Sequence, residues 1–199
     1  MKKLIFGTLG VLSALLFAGI LLRMGQANPP GEYKKLVQTE EVAAAASADG
    51  TVTAQRQMLR SYITEFGYFH CDYIDYIPQC SQAQMTVWFN RSTLYKIPQA
   101  LQAKYPDKKL EELEGMPFSF ELVDEKGSSV AEGRVLLQCR RGRYTFLRLG
   151  FDNLDFSKFT QLTLRFRCDA LSQEDQIITS ILVYHEQMDR KSRVVTVKN

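Results

Sequence analysis

Residues 130–150 read VAEGRVLLQCRRGRYTFLRLG. Two runs rich in β-branched, aromatic and long apolar side chains, Val130–Cys139 and Tyr144–Leu149, flank Arg140-Arg141-Gly142. A short glycine-containing break between two such runs predicts a β-hairpin. The same grammar continues outward. Downstream, Leu162, Leu164, Phe166 and Cys168 alternate with Thr163, Arg165 and Arg167, and Ile177–Tyr184 is a continuous apolar-rich run. Val194–Val197 reads as a last edge strand. Upstream, Asp124-Glu125-Lys126-Gly127 is a turn that follows Phe118, Phe120 and Leu122, and Met85, Val87 and Phe89 alternate with Thr86 and Trp88. Period-two alternation marks strands with one face inward.

About seven strands follow. From Phe118 onward only turns separate them, whereas parallel pairing needs a crossover of a dozen or more residues. The expected fold is therefore mainly β, an antiparallel β-sandwich of immunoglobulin-like or jelly-roll-like layout. One short helix is expected before the strands and another between them. Thr53 is a candidate N-cap, and Leu59, Ile63 and Phe66 recur at helical spacing up to Gly67, which predicts a short amphipathic helix over 54–66 packed on the β domain. Tyr68–Cys80 has no periodicity and reads as a loop stapled by a disulfide. Ile97-Pro98 opens a short helical stretch, and residues 107–114 form a charged connection.

The amino terminus carries the strongest topological signal. After Met1-Lys2-Lys3, Leu4–Leu22 holds 19 residues without a charge, and Arg23 ends the run. At about 1.5 Å per residue this length matches a hydrocarbon core of about 30 Å. Lysines ahead of it favour a cytoplasmic amino terminus. The expected organisation is a signal anchor or signal peptide over 1–23, a linker over 24–53 and the β-sandwich with its leading helix over 54–199. The expected location is a single-pass membrane protein with a periplasmic or extracellular carboxy-terminal domain. The alternative is secretion after cleavage near Ala27, where Gly25-Gln26-Ala27 presents small residues.

An even cysteine count in an exported chain suggests disulfide bonds. The pairs expected are Cys71–Cys80 and Cys139–Cys168. Alternation puts Cys139 on the face of Val135 and Leu137, and Cys168 on that of Leu162 and Phe166, so both point into the apolar layer.

Catalytic and metal chemistry find little footing. The chain has two histidines, His70 and His185, and no Gly-x-Ser-x-Gly elbow. His70-Cys71-Asp72 is the most suggestive cluster, yet neighbours on an extended chain face opposite ways. His185-Glu186 is followed by Asp189 where a zinc-protease helix needs histidine, and Asp152–Asp155 lacks the ligands of a calcium loop. No metal site, cofactor or catalytic residue is expected. A net charge of +3 gives no reason to expect nucleic acid as a partner. Asn90-Arg91-Ser92 is a glycosylation sequon whose meaning depends on a eukaryotic source.

Arginine is concentrated instead: Arg134, Arg140, Arg141, Arg143, Arg148, Arg165 and Arg167 all lie in the β region. Tyr144, Phe146 and Arg148 share one strand face, and Arg165 and Arg167 stand opposite the core on theirs. Together they would form a basic, aromatic-studded surface for an anionic glycan or lipid headgroup. The chemistry that is missing and the anchor that is present point to a non-enzymatic binding or assembly module of the cell envelope, with a protein partner there. A glycan- or lipid-binding module is the alternative, and an enzyme with a dispersed site the third.

Overall fold

The computed structural model describes residues 2–59, 62–64, 67–90, 102–103, 106–107, 118–168, 177–186 and 190–195. The expected helical stretch near Ile97 and the charged connection over 107–114 lie outside these residues, apart from Asp107.

The described chain is mainly β. Its strands are β1 (Val52–Met58), β2 (Tyr62–Thr64), β3 (Gly67–Ile77), β4 (Gln82–Asn90), β5 (Phe118–Val123), β6 (Ser129–Arg141), β7 (Tyr144–Phe151), β8 (Gln161–Cys168), β9 (Ile177–His185) and β10 (Arg190–Val195). They pair in one path, β10-β1-β3-β4-β7-β6-β5-β8-β9, with β2 also on β3. All described pairings are antiparallel.

The path curls into a nearly closed barrel rather than dividing into the two stacked sheets of a sandwich. The long strand β6 turns the corner. Its first residues pair with β5 and its remainder with β7, and the β7 register slips between Val135 and Leu137. A bulge of this kind bends a strand and sharpens its twist. The two ends of the path then approach each other, and the Gln57 side-chain amide on β1 donates to the Val183 carbonyl on β9 at 2.8 Å.

Aromatic rings fill the interior. Phe166 of β8 meets Phe69 of β3, Phe89 of β4 and Phe120 of β5 at centroid distances of 4.9, 5.8 and 5.0 Å. Phe156 bridges Tyr76 and Tyr184 at 4.2 and 4.6 Å. Met85, Val87, Leu147, Leu149, Leu162 and Leu164 complete the packing. Gly133 is required by this crowding, because a Cβ there would lie 2.8 Å from Phe120 Cβ and from the Phe151 ring.

Three expectations need correction. Residues 54–66 are not a helix: Val52–Met58 and Tyr62–Thr64 are strands, and β1 is held between β10 and β3. Ladder pairing on both sides overrides a weak local helical pattern. Tyr68–Cys80 is not a stapled loop; most of it is the eleven-residue strand β3, whose alternation is hidden by a register slip between Cys71 and Ile74. Residues 24–53 are not a bare linker. They contain a 3-10 turn (Gly31–Lys34) and helix α2 (Glu40–Asp49), capped by the Thr39 hydroxyl on the Val42 N–H and ended by Gly50 in the left-handed region. Val42 and Ala46 of α2 pack on Val52, Ala54 and Ile77.

The expected disulfides are not formed either; all four cysteines are free. Cys71 lies inside the barrel, whereas Cys80 follows the far end of β3, about 20 Å along an extended strand from Cys71. A disulfide needs Cα atoms about 4.4–6.8 Å apart. Cys168 points into the core, but the β6 bulge turns Cys139 onto the outer wall beside Tyr33, Trp88 and Phe146. The wall itself separates them.

Ahead of the barrel, helix α1 spans Lys2–Ala27. Among the described residues no helix is long and apolar enough to cross a membrane. The structure thus gives α1 as a helix but does not bear out the membrane-spanning helix expected there.

Unfolded without reductant, the chain should take up four equivalents of a thiol reagent; in the native state Cys80 and Cys139 should react well before the buried Cys71 and Cys168. Mass spectrometry of the labelled peptides checks this, and fewer than four reactive thiols in the unfolded chain would contradict it.

Candidate functional site

Strand β4 is buried on both faces. Ala83, Met85, Val87 and Phe89 enter the core, while Gln82, Gln84, Thr86 and Trp88 project outward. A polar row on an outer face normally meets water, yet Gln82 and Gln84 are fully buried and Thr86 nearly so. The cover is the chain's own segment 31–39, a strap laid along β4.

The strap is held by its backbone. The Val37 N–H donates to Gln84 Oε1 at 2.8 Å, and Gln84 Nε2 donates back to the Val37 carbonyl at 2.9 Å. The glutamine amide thereby replaces a neighbouring strand. The Thr86 hydroxyl donates to the Tyr33 carbonyl, and the Tyr73 hydroxyl to the Lys34 carbonyl at 2.8 Å. Gln82 Nε2 reaches Thr39 Oγ1 at 3.1 Å and Asp152 at 2.6 Å. At the upper end the Tyr33 ring is buried with Trp88 and Phe146. Burial first, then contact with Cys139, pushes its phenol far above the usual range. At the lower end Arg134 joins Asp152 at 2.7 Å and Glu41 of α2 at 3.1 Å. Burial opposes ionisation of Asp152, but hydrogen bonds from Arg134 and Gln82 still hold its carboxyl below the usual range.

Beneath the strap sits a charged cluster. Arg56 of β1 grips Asp75 of β3 with two bonds, at 2.7 and 2.9 Å. Arg148 of β7 reaches the same carboxylate at 3.2 Å and Thr86 Oγ1 at 3.2 Å. Asp75 and Arg148 are fully buried. The Arg56 guanidinium lies 3.4 Å from the centroid of the Tyr73 ring, a cation–π contact. Burial lowers the Arg148 pKa despite Asp75, whereas for Arg56 burial is the largest single effect but the bond and charge of Asp75, together with Tyr73, overcome it and raise the pKa. Two guanidiniums thus share one carboxylate, and Arg148 Nε and Trp88 Nε1 are buried without a partner.

The five residues expected to form a basic, aromatic surface do not form one. Tyr144, Phe146 and Arg148 share the outer side of β7, but Phe146 and Arg148 are sealed under the strap and Tyr144 is half-buried beside His70 and Phe146. Arg165 and Arg167 lie on β8, with β6 and β5 between them and β7. Both face Glu121, at 3.7 and 3.5 Å. Beside them is a concavity of about 320 Å³ lined by Ser119, Phe120, Glu121, Glu132, Gly133 and Arg167.

The His70–Cys71 pair divides between faces. Cys71 is in the core and His70 stacks on Trp88 outside at 5.1 Å. Burial, then the neighbouring Asp72, pushes the Cys71 thiol up to about 12, so it carries no thiolate near neutrality. Burial also lowers the His70 pKa. Asp152-Asn153-Leu154-Asp155 is a turn, with Asn153 in the left-handed region and Asp155 capping Ser157. Among the described residues no group of three or more His, Cys, Asp or Glu side chains is placed to hold a metal ion.

The sequence reading missed Gln82, Gln84, Arg56 and Asp75. The alternation of Gln82, Gln84 and Thr86 with Ala83, Met85 and Val87 was available as a signal of an outer polar row. No family model matches the chain, and neither a curated protein nor a solved structure matches it.

Asp75→Asn leaves the buried Arg148 and the half-buried Arg56 without a counter-ion and should cost about 3–5 kcal/mol in denaturant unfolding. Arg148→Met keeps the Arg56–Asp75 pair and replaces a buried cation with apolar volume, so its cost should be below about 1.5 kcal/mol. Equal losses in the two variants would contradict this ordering.

Proposed function

We propose that the chain is a membrane-tethered, extracytoplasmic β domain that serves as a non-enzymatic binding or assembly module of the cell envelope. The observation that carries the reading is the join between α1 and the wall. Leu12, Leu15, Leu16, Phe17, Ile20 and Leu21 are each more than half exposed. At 100° per residue they take up most of the helix circumference, and apolar surface on every side suits an apolar surrounding. The sequence extends that character over Leu4–Leu22. Directly after α1 the strap is bound along β4, so a tether ending at Ala27 holds the barrel in one orientation instead of letting it swing. A fixed orientation toward the bilayer suits a domain that presents a surface to a protein partner in the envelope.

Membranes from cells making the full chain should retain it through alkaline carbonate, and an alkaline phosphatase fused after Asn199 should be active. A stable partner should be recovered by cross-linking before extraction. Full-length chain in the carbonate supernatant would overturn the tether, and an inactive phosphatase would overturn the location.

A second reading, a glycan- or lipid-headgroup-binding module, draws on the concavity at Ser119, Glu121, Glu132 and Arg167. Glu121 already faces its one arginine, Arg167, and Glu132 also lines it, which favours a polyhydroxylated ligand over a bare anion. Arg165→Gln with Arg167→Gln should abolish binding on a glycan array without changing the thermal midpoint by more than a few degrees; no glycan binding by the unaltered chain would remove this reading.

A further inference from the structure

We propose that the β6–β7 hairpin tip is a contact for anionic phospholipid headgroups, held at the bilayer surface by the end of α1; the inference rests on the tether reading and assigns a lipid partner to it. The tip is Arg140-Arg141-Gly142-Arg143. Gly142 has φ +57, and a Cβ on it would stand 2.5 Å from Gln26 Oε1. The last turn of α1 therefore lies directly against the hairpin turn.

Depth follows from this contact. The uncharged run ends at Leu22, four residues before Gln26. Four residues of helix rise about 6 Å. The headgroup layer on each side of the hydrocarbon is about 5–8 Å thick. A helix whose apolar run ends at the hydrocarbon boundary thus places Gly142 at headgroup level. The side chains there are exposed: Arg140, Arg141 and Arg143 all reach solvent. No acidic residue occurs between Gly133 and Phe151. Arginine offers phosphate two parallel hydrogen bonds as well as charge. Each basic residue at an anionic surface strengthens attachment by about fivefold. Among the described residues Arg56 and Arg148 face Asp75, Arg134 faces Asp152, and Arg165 and Arg167 face Glu121. Arg141 and Arg143, on either side of the glycine, carry the proposal.

The full chain is reconstituted into nanodiscs of phosphatidylcholine alone and of phosphatidylcholine with roughly one quarter phosphatidylglycerol. Two quantities are read: co-elution of chain with disc, and hydrogen exchange of peptides covering residues 138–146. Co-elution with both discs is expected. So is exchange at the tip at least about threefold slower in the anionic discs, with the difference lost in about 0.5 M salt. Arg141→Gln with Arg143→Gln should still co-elute and show no lipid dependence. Equal exchange in both discs, or a difference that survives in the double variant, would overturn the headgroup contact and leave the tether standing. Co-elution with anionic discs alone would sustain the headgroup contact and overturn the tether. Co-elution with neither would overturn both.

Discussion

Asp75 is the charge on which the outer wall depends. Its carboxylate is the shared partner of Arg56 and Arg148, which come from strands on either side of the β3–β4 pair. Burying three ionised groups is expensive, and the expense is offset only while all the partners stay in place. The strap excludes water from the cluster, and the cluster in turn sits among the side chains that hold the strap: Thr86 bonds both Arg148 and the Tyr33 carbonyl, and Tyr73 carries Arg56 on its face and Lys34 on its hydroxyl. Loss of one component leaves polar groups of the others buried and unpaired.

This arrangement explains why β4 tolerates a polar outer row in a strand with no exposed face. A main chain lying on a sheet surface presents N–H and C=O groups that must be satisfied. An apolar row would leave them unmet. Glutamine at 84 supplies donor and acceptor at once to Val37, which a hydroxyl or carboxylate cannot do in the same planar geometry. The core imposes the opposite demand on the alternate residues, where Phe166 gathers rings from β3, β4 and β5. One strand thus serves two chemistries because its side chains alternate.

Legibility followed the alternation that survives in the fold. Strand β8 buries every second residue, Leu162, Leu164, Phe166 and Cys168, although its register against β9 slips twice, and the hairpin at Gly142 was visible from its turn residues. Two other slips changed the facing of residues on β3 and β6. The slip at Cys71/Ile74 made β3 look aperiodic, and the slip at Val135/Leu137 reversed the facing of Cys139. Period-two reasoning carries a facing only as far as the first bulge. The curl into a barrel was illegible for the same reason, since it depends on how sharply β6 bends. Helix α2 was legible in part: Thr39, Glu40, Glu41 and Gly50 stand where a cap, first-turn acids and a terminating glycine belong. Its small, polar composition reads as a tether or a marginal helix; the helix forms, and the packing of Val42 and Ala46 on the wall is what the composition did not show.

The arginine excess was correctly seen and wrongly pooled. The strand positions assign these residues to different environments. Arg148 is interior to the strap–wall interface and meets no solvent, so it acts on stability. Arg134 ties α2 to the wall through Glu41 and Asp152, and Arg165 and Arg167 share Glu121, so part of their charge is met within the domain. Counting arginines along the chain overstates the field available to a ligand, because an ion pair presents little net charge at distances beyond about 8 Å in physiological salt. What remains for an external partner is set by exposure and by neighbours of opposite sign. Among the described residues, exposed arginines gather where β6 turns into β7, at Arg140, Arg141 and Arg143 beside the last turn of α1.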